Sequence, residues 1–393
     1  MDTTIDTVTK GAAKIAEDVT KVLFFFPHCF YPSKAGCHKL AYDILNEMMD
    51  YGYSVTILSY QNVGDEYVRY IWEKENSDFF VSKGINVELM DLSWSQEKIK
   101  EFVEPLIDKN DIIRIHYSPE YWKLNTLFDD ENLFSNKTLI LDTHDDIQLN
   151  IKLHQIIKNK ENYLDTTYYY NYINNYYTNL ESNMDYISKY AYLFKHILCL
   201  NDNEAHFFER CVTKNTLIHK FNYSEPTKSI QHTDRKKIIF VASNNIFNIQ
   251  AFHVLEEKIM PLLDDDIEIV IYGGLKGIVE TNNNKLKLMG FVDNIDDVYK
   301  NALFSICPII AGTGQKIKIL ESLSYNIPVV TFQINNTDIL EHQTNCFIAQ
   351  NEHEFANYIN DIHKHPDVVV NMVCNKLPLE LYEKSKKDFY SLL

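Results

Sequence analysis

The sequence predicts an α/β protein built from two doubly wound, Rossmann-like domains that face one another across a cleft. Three observations predict it. Short apolar runs of strand length alternate with helix-patterned segments along the 393 residues. A polar stretch, NYSEPTKSIQHTDRKK at 222–237, interrupts that alternation, and the same alternation then starts again. In the second series a buried-strand pattern runs into a glycine loop and a helix, CPIIAGTGQKIKILESLSYNIPVVTF at 307–332. The expected boundaries are an N-terminal domain at 1–222, a linker at 223–236, a C-terminal domain at 237–375 and a final helix at 376–393.

In the first series, the run starting at Val22 (VLFFF) has strand length. A polar loop follows, then Leu40, Ile44, Leu45, Met48 and Met49 at helical spacing, Gly52, and a β-branched run at 55–58. This is a βαβ unit, and such units form parallel sheets. Further strands are expected at 85–90, 111–116, 138–141 and 196–200. Ten tyrosines lie between Tyr163 and Tyr192, a density that suits either a sugar-stacking or a membrane-interface surface. The helical recurrence of Tyr169, Ile173, Tyr176, Leu180, Met184 and Ile187 favours an amphipathic helix with an aromatic packing face. In the second series KIIFVAS, IEIVIYGG, LFSICPII and the run 327–332 read as strands. AFHVLEEKIMPLL, IDDVYKNA and 316–325 read as helices.

Composition sets bounds on function. The chain is 45% apolar and 24% charged, which is ordinary for a folded domain, and its length exceeds what one core usually organises. With 38 basic against 55 acidic residues the formal charge is -17, which argues against nucleic-acid binding driven by overall charge. The seven cysteines are scattered, with no C-x-x-C spacing, so neither a zinc site nor a disulfide framework is indicated and a reducing, cytoplasmic setting is expected. The first twenty residues carry Asp2, Asp6, Glu17 and Asp18 and do not read as a signal peptide. No apolar run has transmembrane length, although peripheral membrane contact is compatible with the composition.

Glycine is scarce, 11 residues in 393, so Gly312 and Gly314 side by side in one loop ask for a reason. A strand delivers the chain to that loop at the carboxyl end of a sheet, and a helix starts directly afterwards. A helix start exposes unpaired N–H groups and partial positive charge, and glycine lets backbone approach a ligand without Cβ interference. Lys316 and Lys318 add charge where the helix dipole disfavours it unless an anion is present, so a diphosphate is the natural occupant. Glu321, three residues after Lys318, shares its helix face. Spacing leaves two readings open: a surface ion pair, or Lys318 on phosphate and Glu321 on the ribose hydroxyls of a nucleotide.

This stretch resembles the P-x-x-x-G-x-G-x-[KR]-x-K-x-x-E signature of retaining, family 4 type glycosyltransferases with the GT-B fold. GFVDNIDDVYKNALFSICPII and SNNIFNIQAFHVLEEKIMP resemble neighbouring segments of that family. YPSKAGCHKLAYDIL and LILDTHDDIQLN, with its Asp-x-His strand end, are similar more loosely. The resemblance implies that Glu321 binds the donor ribose, and that Gly312, Thr313, Gly314 and Gln315 meet the diphosphate and sugar. It implies that Val292 meets the base, that Gly36 faces the reactive end of the donor and that His144 reaches the donor sugar. Lys316, Lys318 and His144 would be the catalytic residues. The implied reaction is metal-independent transfer from a nucleotide-sugar to a glycan or lipid-linked saccharide, as in surface polysaccharide or glycoprotein glycan synthesis, with no cofactor. Three departures stand out: Thr313 occupies a position where many members carry glutamate, a basic pair after the first C-domain strand is missing, and Cys37 replaces a glycine. They leave a second reading, a non-catalytic nucleotide-sugar-binding or scaffold module.

Rival constellations are weaker. Asp142, Asp145 and Asp146 around His144 have metal-ligand chemistry, but aspartates after a strand more often cap the next helix. Asp264–Asp266 reads as a solvated turn, and YGGLKG lacks the full dinucleotide fingerprint.

Overall fold

A computed structural model describes residues 19–32, 36–62, 71–117, 124–144, 146–179, 190–212, 215–221, 223, 228 and 235–393. It contains two parallel sheets. The first has β1 (Lys21–Phe25), β2 (Ser54–Asn62), β3 (Asn86–Asp91), β4 (Ile112–His116), β5 (Thr138–Asp142), β6 (His196–Cys199) and β7 (Leu217–Lys220) in the order β3-β2-β1-β4-β5-β6-β7. The second has β8 (Lys237–Ala242), β9 (Ile269–Gly273), β10 (Leu286–Gly290), β11 (Ala302–Cys307), β12 (Val329–Phe332) and β13 (Cys346–Ala349) in the order β10-β9-β8-β11-β12-β13. Both orders wind outward in two directions from the first strand, which is the doubly wound arrangement. The strands β4, β6, β11 and β12 are buried at every residue, as expected of strands covered by helices on both faces.

The expected strands are present with shifts of up to four residues at their ends: the 55–58 run extends to Asn62, and LFSICPII ends as a strand at Cys307. β7, β10 and β13 were not among them; β7 and β10 are only partly buried and carry Lys220 and Lys287, so they do not read as continuous apolar runs, and β13 is a run of four residues. The expected single helix after β8 is Ile246–Val254 followed by a π-turn, Leu255–Ile259, and a 3₁₀ turn, Met260–Leu262, with Pro261 at the join. The tyrosine-rich helix spans Thr166–Thr178, capped by Asp165, and buries Tyr169, Ile173, Tyr176 and Tyr177. The expected continuation through Leu180, Met184 and Ile187 lies outside the described residues.

Two compact units divide the chain: 1–144 with 185–198 and 210–218, and 145–184 with 199–209 and 219–393. The second unit therefore includes residues that precede the 223–236 segment in sequence, most of which lies outside the described residues. Within it the final helix, Lys376–Tyr390, packs Tyr382 and Phe389 edge-on against Phe221, with Tyr223 and His219 beside them. No helix among the described residues is long and apolar enough to cross a membrane.

Candidate active site

In the second unit, β11 ends at Cys307 and the chain turns through 308–316 into the helix Ile317–Ser324. Gly312 and Gly314 hold φ of 127° and 66°, conformations that a side chain disfavours. The Asn335 side chain props the start of the loop by donating to the Ile309 carbonyl at 2.8 Å. Behind the loop, Ser305 and Ser322 share a 2.7 Å hydrogen bond that ties β11 to the helix. No side chain caps the helix start, so its first-turn N–H groups have no side-chain acceptor there.

The two lysines part company. Lys316 is the N-cap residue, and its ammonium curls back to donate to the carbonyls of Thr313 at 2.9 Å and Gly314 at 3.2 Å. It holds the loop closed from within. Lys318 donates to the Asn248 side-chain oxygen and lies over the Phe240 ring, 5.3 Å from its centroid. Burial, reinforced by Lys316, pushes its pKa down to about 8, against upward pulls from Cys307 and Glu321. The ion pair between Lys318 and Glu321 that spacing allowed is replaced by these contacts. Glu321 instead accepts a 3.0 Å hydrogen bond from Tyr299, whose ring stacks on Tyr325 at 4.4 Å.

Asn248, the partner of Lys318, is a residue that sequence reasoning passed over. It sits in the first turn of Ile246–Val254, where its own N–H is capped by Asn245 at 2.9 Å and its amide donates to the Ser243 carbonyl at 2.9 Å. That turn rests on Gly273 and Gly274. A Cβ at Gly273 would lie 2.4 Å from the Ala242 carbonyl oxygen, and one at Gly274 2.6 Å from the Asn244 nitrogen. YGG therefore serves close backbone approach, which aims Asn248 and through it Lys318.

Thr313 accepts a 3.1 Å hydrogen bond from Asn150, on the helix Ile147–Lys158. Both amide atoms of Gln315 are buried without a hydrogen-bond partner among the described residues, an arrangement that costs free energy until a ligand supplies one. Val292 is on a separate loop after β10, 39% exposed beside a Phe291 that is 83% exposed. Asp146 caps Ile147–Lys158 by accepting from the Leu149 N–H at 2.9 Å, and Tyr176 donates to the same oxygen.

In the first unit, Gly36 opens the helix Gly36–Asp50. His144 follows β5 in a left-handed conformation, φ 49°, with its Nε2 2.6 Å from His116 Nδ1 and its ring stacked on Tyr117 at 4.9 Å. Burial pushes its pKa down to about 4, so the imidazole is neutral, and its buried Nδ1 lacks a hydrogen-bond partner among the described residues. Asp142 is gripped by Arg114 through two hydrogen bonds, 2.6 and 2.9 Å. Burial pushes its carboxyl pKa up, but Arg114 and His116 more than offset it and hold it below the ordinary value. Its carboxylate is thus committed to a guanidinium rather than offered to a cation, and Asp145 lies outside the described residues.

Residues 235–365 match the family model described as Glycosyl transferases group 1. No curated protein matches the chain. Among solved structures, the chain is similar to Anabaena HepE in complex with UDP and glucose, at 12% identity and a TM-score of 0.62, over 95% of this chain and 100% of that one. It is also similar to sucrose-phosphate synthase from Thermosynechococcus elongatus, at 12% identity and a TM-score of 0.63, over 95% and 98% of the two chains. A Rickettsia africae glycosyltransferase aligns at 11% identity and a TM-score of 0.62, over 95% and 98%. The fold is accordingly that of the GT-B glycosyltransferases, and the matched domain is that of a sugar-transferring enzyme.

Proposed function

We propose that this glycosyltransferase moves a sugar from a nucleoside diphosphate donor to a saccharide acceptor with retention of anomeric configuration, the diphosphate being held without a metal ion. One observation carries the reading. An uncapped helix start, a glycine loop, a half-buried lysine and a carboxylate one turn further on lie together on a single strand-loop-helix element. The UDP bound in the Anabaena neighbour supports a nucleoside diphosphate as the ligand class and puts UDP-sugars first among candidate donors.

The residues divide the work by their chemistry. Glu321, oriented by Tyr299, accepts from the ribose hydroxyls. The N–H groups at the helix start and the Lys318 ammonium stabilise negative charge developing on the diphosphate. Gln315 satisfies its buried amide on donor oxygens. His144, neutral and held by His116, presents Nδ1 to a hydroxyl of the donor sugar. In the step itself the bond between the anomeric carbon and the leaving phosphate oxygen breaks. The acceptor oxygen bonds to that carbon on the same face, and the acceptor proton passes to the leaving phosphate. A glycan or lipid-linked saccharide, as used in surface polysaccharide or glycoprotein glycan synthesis, is the acceptor class this reading favours.

A thermal-shift screen of UDP, GDP, ADP and dTDP sugars tests the donor. A ligand at 100 times its dissociation constant stabilises by about 2.7 kcal/mol, a readily measured shift. A flat response to all four at millimolar concentration would overturn the reading.

A further inference from the structure

Where the end of β1 meets the start of the helix Gly36–Asp50 is a second constellation, to which the proposed transfer gives no role. His28 follows β1, and Cys37 and His38 are the second and third residues of the helix. One ligand atom from each, the two imidazole nitrogens and the thiol sulfur, lies within 4.8 Å of the other two. His28 Nε2 and His38 Nε2 are 2.9 Å apart, both rings are buried, and Cys37 is half-buried.

We propose that His28, Cys37 and His38 form a binding site for a zinc-class cation, with a fourth position left for water or an exogenous ligand. Two imidazoles facing each other nitrogen to nitrogen can share one proton or one metal ion. Tetrahedral zinc with Zn–N distances of about 2.0–2.1 Å sets its nitrogens ~3.3 Å apart, and a thiolate at about 2.3 Å lies ~3.5 Å from each nitrogen. The nitrogen pair needs to open by a few tenths of an ångström, and the sulfur, within 4.8 Å of both, to close in by up to ~1.3 Å. The donor set of two imidazoles and a thiolate is borderline-soft and selects zinc or copper(I) over magnesium or manganese. Two further features suit it. Cys37 is at a helix start, where the dipole favours thiolate. Phe26 packs edge-on against both rings, at 5.0 and 6.2 Å, and excludes water from that side.

The test is titration of the full chain with Zn²⁺ against a chromophoric chelator, and with Co²⁺ as a spectroscopic substitute. One ion per chain is expected, with a near-ultraviolet thiolate-to-cobalt band. Cys37→Ser should lose that band and bind Zn²⁺ at least ~10-fold more weakly, and His28→Ala should do the same to affinity. Because His28 is buried, circular dichroism checks its fold, and the half-buried Cys37→Ser variant keeps the test decisive if His28→Ala unfolds. Absence of stoichiometric binding, or equal binding in Cys37→Ser, refutes the site. UDP affinity measured on the same samples reports separately on the donor reading.

Discussion

Removing the Glu321 carboxylate separates the two readings of the 316–321 segment most sharply. In Glu321→Ala the ribose loses a charged acceptor, and hydrogen bonds to charged groups contribute roughly 1.5–3 kcal/mol. That range converts to a roughly 10- to 150-fold loss of UDP affinity. The same change deprives Tyr299 of its 3.0 Å acceptor, at a cost to stability of about 1 kcal/mol, because the Tyr299 ring stays packed on Tyr325. Isothermal titration with UDP and with its 2′,3′-dideoxy analogue gives the decisive comparison. The wild-type protein should discriminate between the two ligands, and Glu321→Ala should bind both with nearly the same weakened affinity. Tyr299→Phe provides the control, since it removes the orienting hydrogen bond and keeps the carboxylate, and a smaller loss is expected. If Glu321→Ala binds UDP as well as wild type, or still prefers it over the dideoxy analogue, Glu321 does not hold the ribose and the argument from the loop-helix element fails.

Other outcomes follow from the same geometry. Lys318, with its pKa lowered to about 8, binds diphosphate as the ammonium, so UDP affinity should fall as pH rises through 8 and above, and a flat profile to pH 9.5 would remove Lys318 from the site. The sign for stability is opposite. Because the unfolded chain binds that proton up to a higher pH, the ligand-free protein should gain stability between pH 8 and the ordinary lysine value. His144→Ala should lower the turnover rate while sparing UDP affinity, and loss of UDP binding with turnover intact under saturation would reverse that assignment. Chelation with EDTA should leave transfer largely intact; activity lost and restored by magnesium or manganese would place a cation on the diphosphate, whereas restoration by zinc alone would report on His28, Cys37 and His38. Gly273→Ala should destabilise by about 3 kcal/mol, the upper end of the ordinary range, because its Cβ would meet the Ala242 carbonyl at 2.4 Å and φ there is 107°; an unchanged melting temperature would contradict the close approach.

Local pattern carried much of this protein. Burial on both faces makes a parallel strand a continuous apolar run, so KIIFVA, ALFSIC and VVTF announced themselves, and the sheets they belong to followed from their alternation with helices. Glycine, lysine and glutamate in one short segment likewise exposed the strand-loop-helix element, because such an element keeps all its parts close in sequence. Partners brought in from elsewhere in the chain were decided only by the fold. The sequence put Lys316 and Lys318 in one role, and the structure separates them: one closes on the carbonyls of its own loop and the other turns to Asn248, 70 positions earlier. It set Lys318 beside Glu321, where packing brings Tyr299 from the preceding helix instead. Arg114 reads as an ordinary charge in an apolar strand until β4 pairs with β5 and its guanidinium meets Asp142. Helical and strand periodicity report which face of an element is buried, and a side chain's hydrogen-bond partner depends on which other element that face meets. That is why the elements and the glycine loop were legible in the sequence, while the hydrogen-bond partnerships of Asn248, Tyr299 and the His116–His144 pair required the folded chain.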